Sequence, residues 1–200
     1  MKTRKNEERL FKETQDKGIN TDGSPYTIKF VKTGNTFYEQ VKKFHEAFGH
    51  HVANKPTPMS KETALSRSIW TGEELVELLY ATVGGDLNEF ESIVDNFKQG
   101  IQKAYEKIKN ENKPIEDVLT SQVDALTDIE YFNQGSFVDI GVEPAEPFNI
   151  VQEANMGKLW EDGKPRYREG DGKIVKPPNW EEEYAPEPRL RAEIQKQKMI

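Results

Sequence analysis

Five acids in two short runs are the side chains of this 200-residue sequence best placed by type and spacing to do chemistry. Glu73, Glu74 and Glu77 fall in Gly-Glu-Glu-Leu-Val-Glu, and Asp124 and Asp128 in Val-Asp-Ala-Leu-Thr-Asp. On helices, Glu73/Glu77 and Asp124/Asp128 stand at i,i+4 and Glu74/Glu77 at i,i+3, so each set shares one face. Leu75, Leu78 and Leu79 beside the first set, and Val123, Leu126 and Ile129 beside the second, put these acids at the margin of an apolar stripe. Carboxylates there repel one another and lose hydration. A hard divalent cation relieves both penalties. Mg²⁺ takes oxygen ligands in octahedral array and keeps waters that it shares with substrate phosphates. The chain holds 35 acids, however, and an acidic run is also what the solvated face of a helix looks like. Spacing alone leaves both readings open.

Other chemistries are excluded or weaker. There is no cysteine, which removes thiol nucleophiles, thiolate zinc sites and disulfides. His45, His50 and His51 match no strong zinc spacing. With Lys+Arg at 28 against Asp+Glu at 35, the net charge of −7 disfavours wrapping a nucleic-acid polymer, because phosphate neutralisation needs surplus cations. Single nucleotides remain admissible, since a metal supplies positive charge. Phe44, His45 and Trp70 are candidates for stacking on or recognising a base, against a plain core role for aromatics at helical spacing. Arg166, Lys173 and Lys176 could close over phosphates, or be surface charges around a turn.

The elements that must position these residues can be read in order. Residues 1–35 form a polar extension, with a charged start over Arg4–Lys17 that suits a helix and a short strand over Tyr26–Lys32. Phe37, Val41, Phe44 and Phe48 stripe a first helix stopped by Gly49. Ser60 is a plausible N-cap for a second helix that Gly84-Gly85 ends, and Asp86 for a third running to about Asn112. A fourth spans about Pro114–Ile140, and a shorter fifth Phe148–Lys158. Past Trp160 the composition shifts to Gly, Pro and charge. Arg166-Tyr-Arg and Lys173-Ile-Val-Lys flank a Gly-Asp-Gly turn and predict a β-hairpin, and Glu187–Lys198 a last helix. The fold class is all-α: an antiparallel four- to five-helix bundle with a C-terminal hairpin and a short N-terminal strand. The expected divisions are an extension (1–35), a helical domain (36–160) and a hairpin-containing tail (161–200).

Four blocks resemble the all-α nucleoside triphosphate pyrophosphohydrolases, the superfamily of MazG, the dimeric dUTPases and phosphoribosyl-ATP pyrophosphatase. Thr71-Gly-Glu-Glu-Leu-Val-Glu-Leu78 is similar to its E-E-x-x-E motif, and Asp124-Ala-Leu-Thr-Asp128 to its second metal motif, commonly E-x-x-D. Phe44-His-Glu-Ala-Phe-Gly49 and Ile150-Val-Gln-Glu-Ala-Asn-Met-Gly-Lys158 with the DGKP…DGKIVKPPNW string are closer to the phosphoribosyl-ATP pyrophosphatase-like branch. The blocks stand in the family's order across about residues 37–180.

The resemblance implies a MazG-like bundle acting as a homodimer or dimer of dimers, with sites completed between subunits. It implies Mg²⁺-dependent cleavage between α and β phosphates, with Mn²⁺ an alternative ion, giving a monophosphate and pyrophosphate. Carried over residue by residue, Glu74, Glu77, Asp124 and Asp128 are the expected metal ligands and Glu73 a further ligand or base, so that Glu73, Glu74 and Glu77 make up the catalytic set. Asn155 and Lys158, matching N-x-x-K, are expected to meet substrate phosphates; His45 and Lys173 complete the candidate substrate residues. Ala125 departs from the pattern, standing where the second motif has Glu. Asp124, one turn before Asp128, substitutes if its carboxylate faces the same way, and otherwise the site holds fewer metals or works weakly. The long third helix and the N-terminal extension depart too, and favour a stand-alone nucleotide-pool enzyme over a histidine-pathway phosphoribosyl-ATP pyrophosphatase. A non-hydrolysing nucleotide-binding or protein-binding bundle is the rival outside enzymes. A basic start without an apolar stretch, and no window near the ~18 apolar residues of a span, lead to the expectation of a cytoplasmic protein with no membrane partner.

Overall fold

A computed structural model describes the backbone of residues 13–19 and 25–31 and, with side chains, residues 36–199. The elements are β1 (Glu13–Ile19), β2 (Pro25–Val31), α1 (Thr36–Ala47), α2 (Lys61–Thr82), α3 (Leu87–Glu111), α4 (Val118–Ile140), α5 (Ala145–Met156), β3 (Arg166–Tyr167), β4 (Ile174–Val175), α6 (Trp180–Glu183) and α7 (Pro186–Gln197). Among the described residues the fold is all-α apart from two hairpins. Among the described residues no helix is long and apolar enough to cross a membrane.

The N-terminal strand has a partner: β1 pairs antiparallel with β2 from Glu13↔Val31 to Ile19↔Pro25. The helical start read over Arg4–Lys17 is therefore corrected for Glu13–Lys17, which are strand, and its remainder lies outside the described residues. That charged run offers a helix no apolar face to bury, whereas β2 supplies its backbone with a ladder. Capping explains the later boundaries. Ser60 Oγ accepts from Thr63 N–H at 3.2 Å, and Asp86 Oδ1 accepts from the N–H groups of Asn88 and Glu89 at 2.9 and 3.0 Å. α4 begins at Val118 rather than near Pro114 because Asp117 caps it, accepting from the N–H groups of Leu119 and Thr120. These bonds hold the Asp117 carboxyl below its ordinary value, the side-chain bond from Thr120 first among them. α5 starts earlier than Phe148 because Pro147 sits in its first turn, where a missing N–H costs no helical bond.

The chain divides into two compact units, Ala53–Gly135 and the remainder, with the end of α4 in the latter. In the unit built from the chain ends, Phe48, Ile150, Ala154 and Trp180 are buried. α5 packs against α1 and α7. Phe37 stacks on Phe148 with ring centroids 4.2 Å apart, and Gln40 donates to Asn149 at 2.8 Å. Arg189 pairs with Glu153 at 2.6 Å. Tyr167 on β3 donates its hydroxyl to Phe48 C=O at 2.6 Å, tying the β3–β4 hairpin to the end of α1.

The other unit holds α2, α3 and most of α4. α2 packs along α3, with Tyr80 and Phe90 edge to face at 5.1 Å. The Gln122 amide grips the backbone of Met59, accepting from its N–H at 2.8 Å and donating to its C=O at 3.1 Å. No residue from Ala53 to Gly135 is buried. Leu78 is 54 % exposed, Leu126 50 %, Ile129 53 % and Phe132 72 %. Three amphipathic helices thus present their apolar stripes to solvent.

Candidate active site

All five acids named from the sequence are on α2 and α4. Glu73, Glu74 and Glu77 project from the middle of the 22-residue α2, and Asp124 and Asp128 from the first half of α4. All five are exposed. The helical assignment puts each set on one face at the expected spacing. No group of three or more His, Asp or Glu able to hold a metal is gathered among the described residues of a single chain. The donor set is all carboxylate oxygen, which suits Mg²⁺ in its chemistry. The five carboxylates of one chain stand as two separate clusters, not as a finished cage.

The phosphate candidates fare differently. Asn155 lies in the last turn of α5, and Lys158 follows three residues later, just past the Gly157 cap. Lys158 Nζ donates to Asn155 Oδ1 at 2.7 Å, so the two residues of N-x-x-K form one unit. Lys158 is half-buried, and no carboxylate among the described residues pairs with it. Burial first, and then the charge of Lys176, lower its pKa from the ordinary lysine value. A half-buried ammonium held by a neutral amide is suited to an arriving anion.

Gly157 makes this placement possible. A Cβ there would fall 2.3 Å from a ring carbon of Tyr184, so only glycine lets that ring lie against the α5 terminus. Trp180 anchors the same region, buried, with Nε1 donating to Ala154 C=O at 2.8 Å. Trp160 Nε1 donates to Val175 C=O at 3.1 Å and ties β4 down. The hairpin has the predicted Gly-Asp-Gly turn, with Arg168 and Asp171 closing it as a two-bonded ion pair and Tyr167 paired with Ile174. The Arg168 guanidinium holds the Asp171 carboxyl far below the carboxylate range.

Lys173 is exposed at that turn. The hairpin lysine whose charge reaches Lys158 is Lys176. His45 is engaged at the end of α1, its Nδ1 donating to His51 C=O at 3.0 Å, with the His50 ring 5.2 Å away. A shallow depression of about 430 Å³ nearby is lined by Phe48, Gly49, His50, Pro165 and Tyr167. Trp70 is half-exposed on α2 under the Arg67 guanidinium, 5.1 Å from the ring centroid. Sequence reasoning passed over Trp180 as an anchor. Its signal was a lone tryptophan behind two prolines in a charged tail, an apolar investment that only a docked segment repays.

Comparison with known proteins bears on the family and the fold. The profile of the family described as phosphoribosyl-ATP pyrophosphohydrolase matches residues 41–155, a stretch containing both acid motifs and Asn155. The crystal structure of a candidate NTP pyrophosphohydrolase from Exiguobacterium sp. 255-15 is 41% identical, superposes with a TM-score of 0.76, and is matched over 84% of this chain and 98% of its own. No curated protein matches. The match over more than half of its length and the shared MazG-like fold make this chain a member of the phosphoribosyl-ATP pyrophosphohydrolase family, and with it of the all-α nucleotide pyrophosphohydrolase type.

Proposed function

We propose that the protein hydrolyses a nucleoside triphosphate or related nucleotide between the α and β phosphates, releasing a monophosphate and pyrophosphate. The observation that carries this reading is the Asn155–Lys158 pair, a half-buried cation with no carboxylate partner among the described residues, in a chain that also carries two acid clusters. Anhydride hydrolysis needs the phosphate charge offset and a water held in line with the leaving group. Glu74, Glu77, Asp124 and Asp128 would hold Mg²⁺, with Mn²⁺ able to replace it. When bound, such an ion offsets phosphate charge and makes water a better nucleophile. Glu73 would accept the proton of that water. Lys158 meets the phosphates, and Asn155 aims it while leaving its own amide N–H groups for substrate oxygens.

The acid clusters need a second copy of the chain. In α2 and α4 the acids share helices with Leu75, Leu78, Leu126 and Ile129, all exposed. Burying such side chains contributes roughly 1.5–3 kcal/mol each, so solvent is an unfavourable resting place for these stripes. Covering them in a homodimer draws the adjoining carboxylates towards the seam, and a dimer of dimers extends the same logic.

Two substrate classes compete. The family's description favours phosphoribosyl-ATP, while the 25-residue α3 and the β1–β2 extension favour a nucleotide-pool enzyme. Turnover of phosphoribosyl-ATP beside a panel of nucleoside triphosphates separates them. Glu77→Gln keeps the size and helix propensity of the side chain but removes its charge. Its turnover with Mg²⁺ should fall to background, with the helical circular dichroism unchanged. Pyrophosphate release at the wild-type rate would remove Glu77 from the site.

A further inference from the structure

The end of α5 carries a second lysine, contributed by the hairpin. Lys176 follows β4 and sits over the indole of Trp180, its Nζ 3.5 Å from the ring centroid. That indole is fixed in turn by its bond to Ala154 C=O, one residue before Asn155. The backbone of the preceding residue, Val175, is held by Trp160 Nε1. Lys176 is therefore held, through Trp180, at the last turn of α5, which carries Asn155 and which Lys158 follows, and its charge is felt at Lys158. Its ion-pair partner is the exposed Glu181, at 3.0 Å and on the rim of the region. The two ammonium groups repel, and an anion shared between them relieves that repulsion.

We propose that Lys158 and Lys176 form a paired-cation site for the pyrophosphate portion of the substrate, with Trp180 as the positioning residue for Lys176. The proposal rests on the pyrophosphohydrolase reading and deepens it by naming the part of the substrate held at this end of the chain. A diphosphate carries two adjacent anionic groups, so paired ammonium groups favour it over a single phosphate. Glu181 then competes with the ligand: Lys176 exchanges a solvated carboxylate for phosphate oxygens while keeping its place on the ring.

The test is calorimetric titration of the full chain with inorganic pyrophosphate, and separately with inorganic phosphate, in the presence of a chelator so that only the protein's own cations are read. Pyrophosphate should bind at least tenfold more tightly than phosphate. Lys176→Gln should weaken it by about tenfold, converging on the phosphate value, and Lys176→Arg should stay within about threefold of wild type. Trp180→Phe, with near-ultraviolet circular dichroism confirming the packed tail, should weaken it severalfold. Glu181→Gln should tighten it, which a merely structural surface pair would not do. Loss of affinity in Lys158→Gln with wild-type binding in both Lys176→Gln and Glu181→Gln overturns the paired site and leaves the pyrophosphohydrolase reading standing. Equal affinity for phosphate and pyrophosphate overturns it as well. Unchanged binding in Lys158→Gln removes this end of α5 from phosphate recognition altogether, and the proposal with it.

Discussion

Lys158 is where burial and charge pull hardest on a single group. Its neutral form is favoured by folding, so the folded protein releases this proton at lower pH than the unfolded chain does. The charged lysine therefore costs stability at neutral pH. That cost fades as pH rises through the window between the lowered folded pKa and the ordinary 10.5 of the unfolded chain. Attraction for phosphate runs the opposite way and is lost across the same window. KM should accordingly begin to climb on the alkaline side below pH 10.5, and Lys158→Arg, which does not deprotonate there, should abolish that limb. Superimposable profiles would show that Lys158 does not touch the substrate. The identity of this residue was legible in the sequence only through its motif. Its burial was not, because the tail docks at this end of α5 through residues distant in sequence, Tyr184 against Gly157 and Trp180 on Ala154.

Helices were the most legible elements, since apolar periodicity and caps are local. Ser60, Asp86, Gly49 and the glycines at 84 and 85 all act where the pattern put them, the last two with φ of 60° and 81°. The errors came from a strand partner in another element and from one overlooked local cap. Glu13–Lys17 is strand because β2 lies beside it, and Asp117 moved the start of α4 through a cap that its polar neighbours concealed. At this scale Gly157 is the critical hinge between α5 and the tail. Gly157→Ala forces a methyl group into the Tyr184 ring, and overpacking of this kind costs about 1–3 kcal/mol. For a chain of this length that lowers Tm by roughly 2–4 °C per kcal/mol. Iodide quenching should show Trp180 more exposed in this variant. An unchanged Tm with Trp180 still shielded would mean that the tail accommodates the methyl group and is not held as described.

For the molecule as a whole, the contrast lies between a unit with a buried core and one with none. The sequence displayed the stripes of α2, α3 and α4 and the acids beside them, but a periodicity does not say whether its apolar face meets the same chain or another. Hence the two acid clusters were legible and their convergence was not. Ile129→Glu places a charge in the exposed stripe of α4 and should convert the protein to monomer in sedimentation equilibrium, with metal affinity and turnover lost together. A monomeric wild type would contradict the proposed seam. The position of cleavage is read directly by turnover with Mg²⁺ in ¹⁸O-labelled water, followed by product identification. Monophosphate and pyrophosphate, with one labelled oxygen in the pair and none in orthophosphate, is the predicted result; diphosphate with labelled orthophosphate, or no turnover across the whole nucleotide panel, would contradict it.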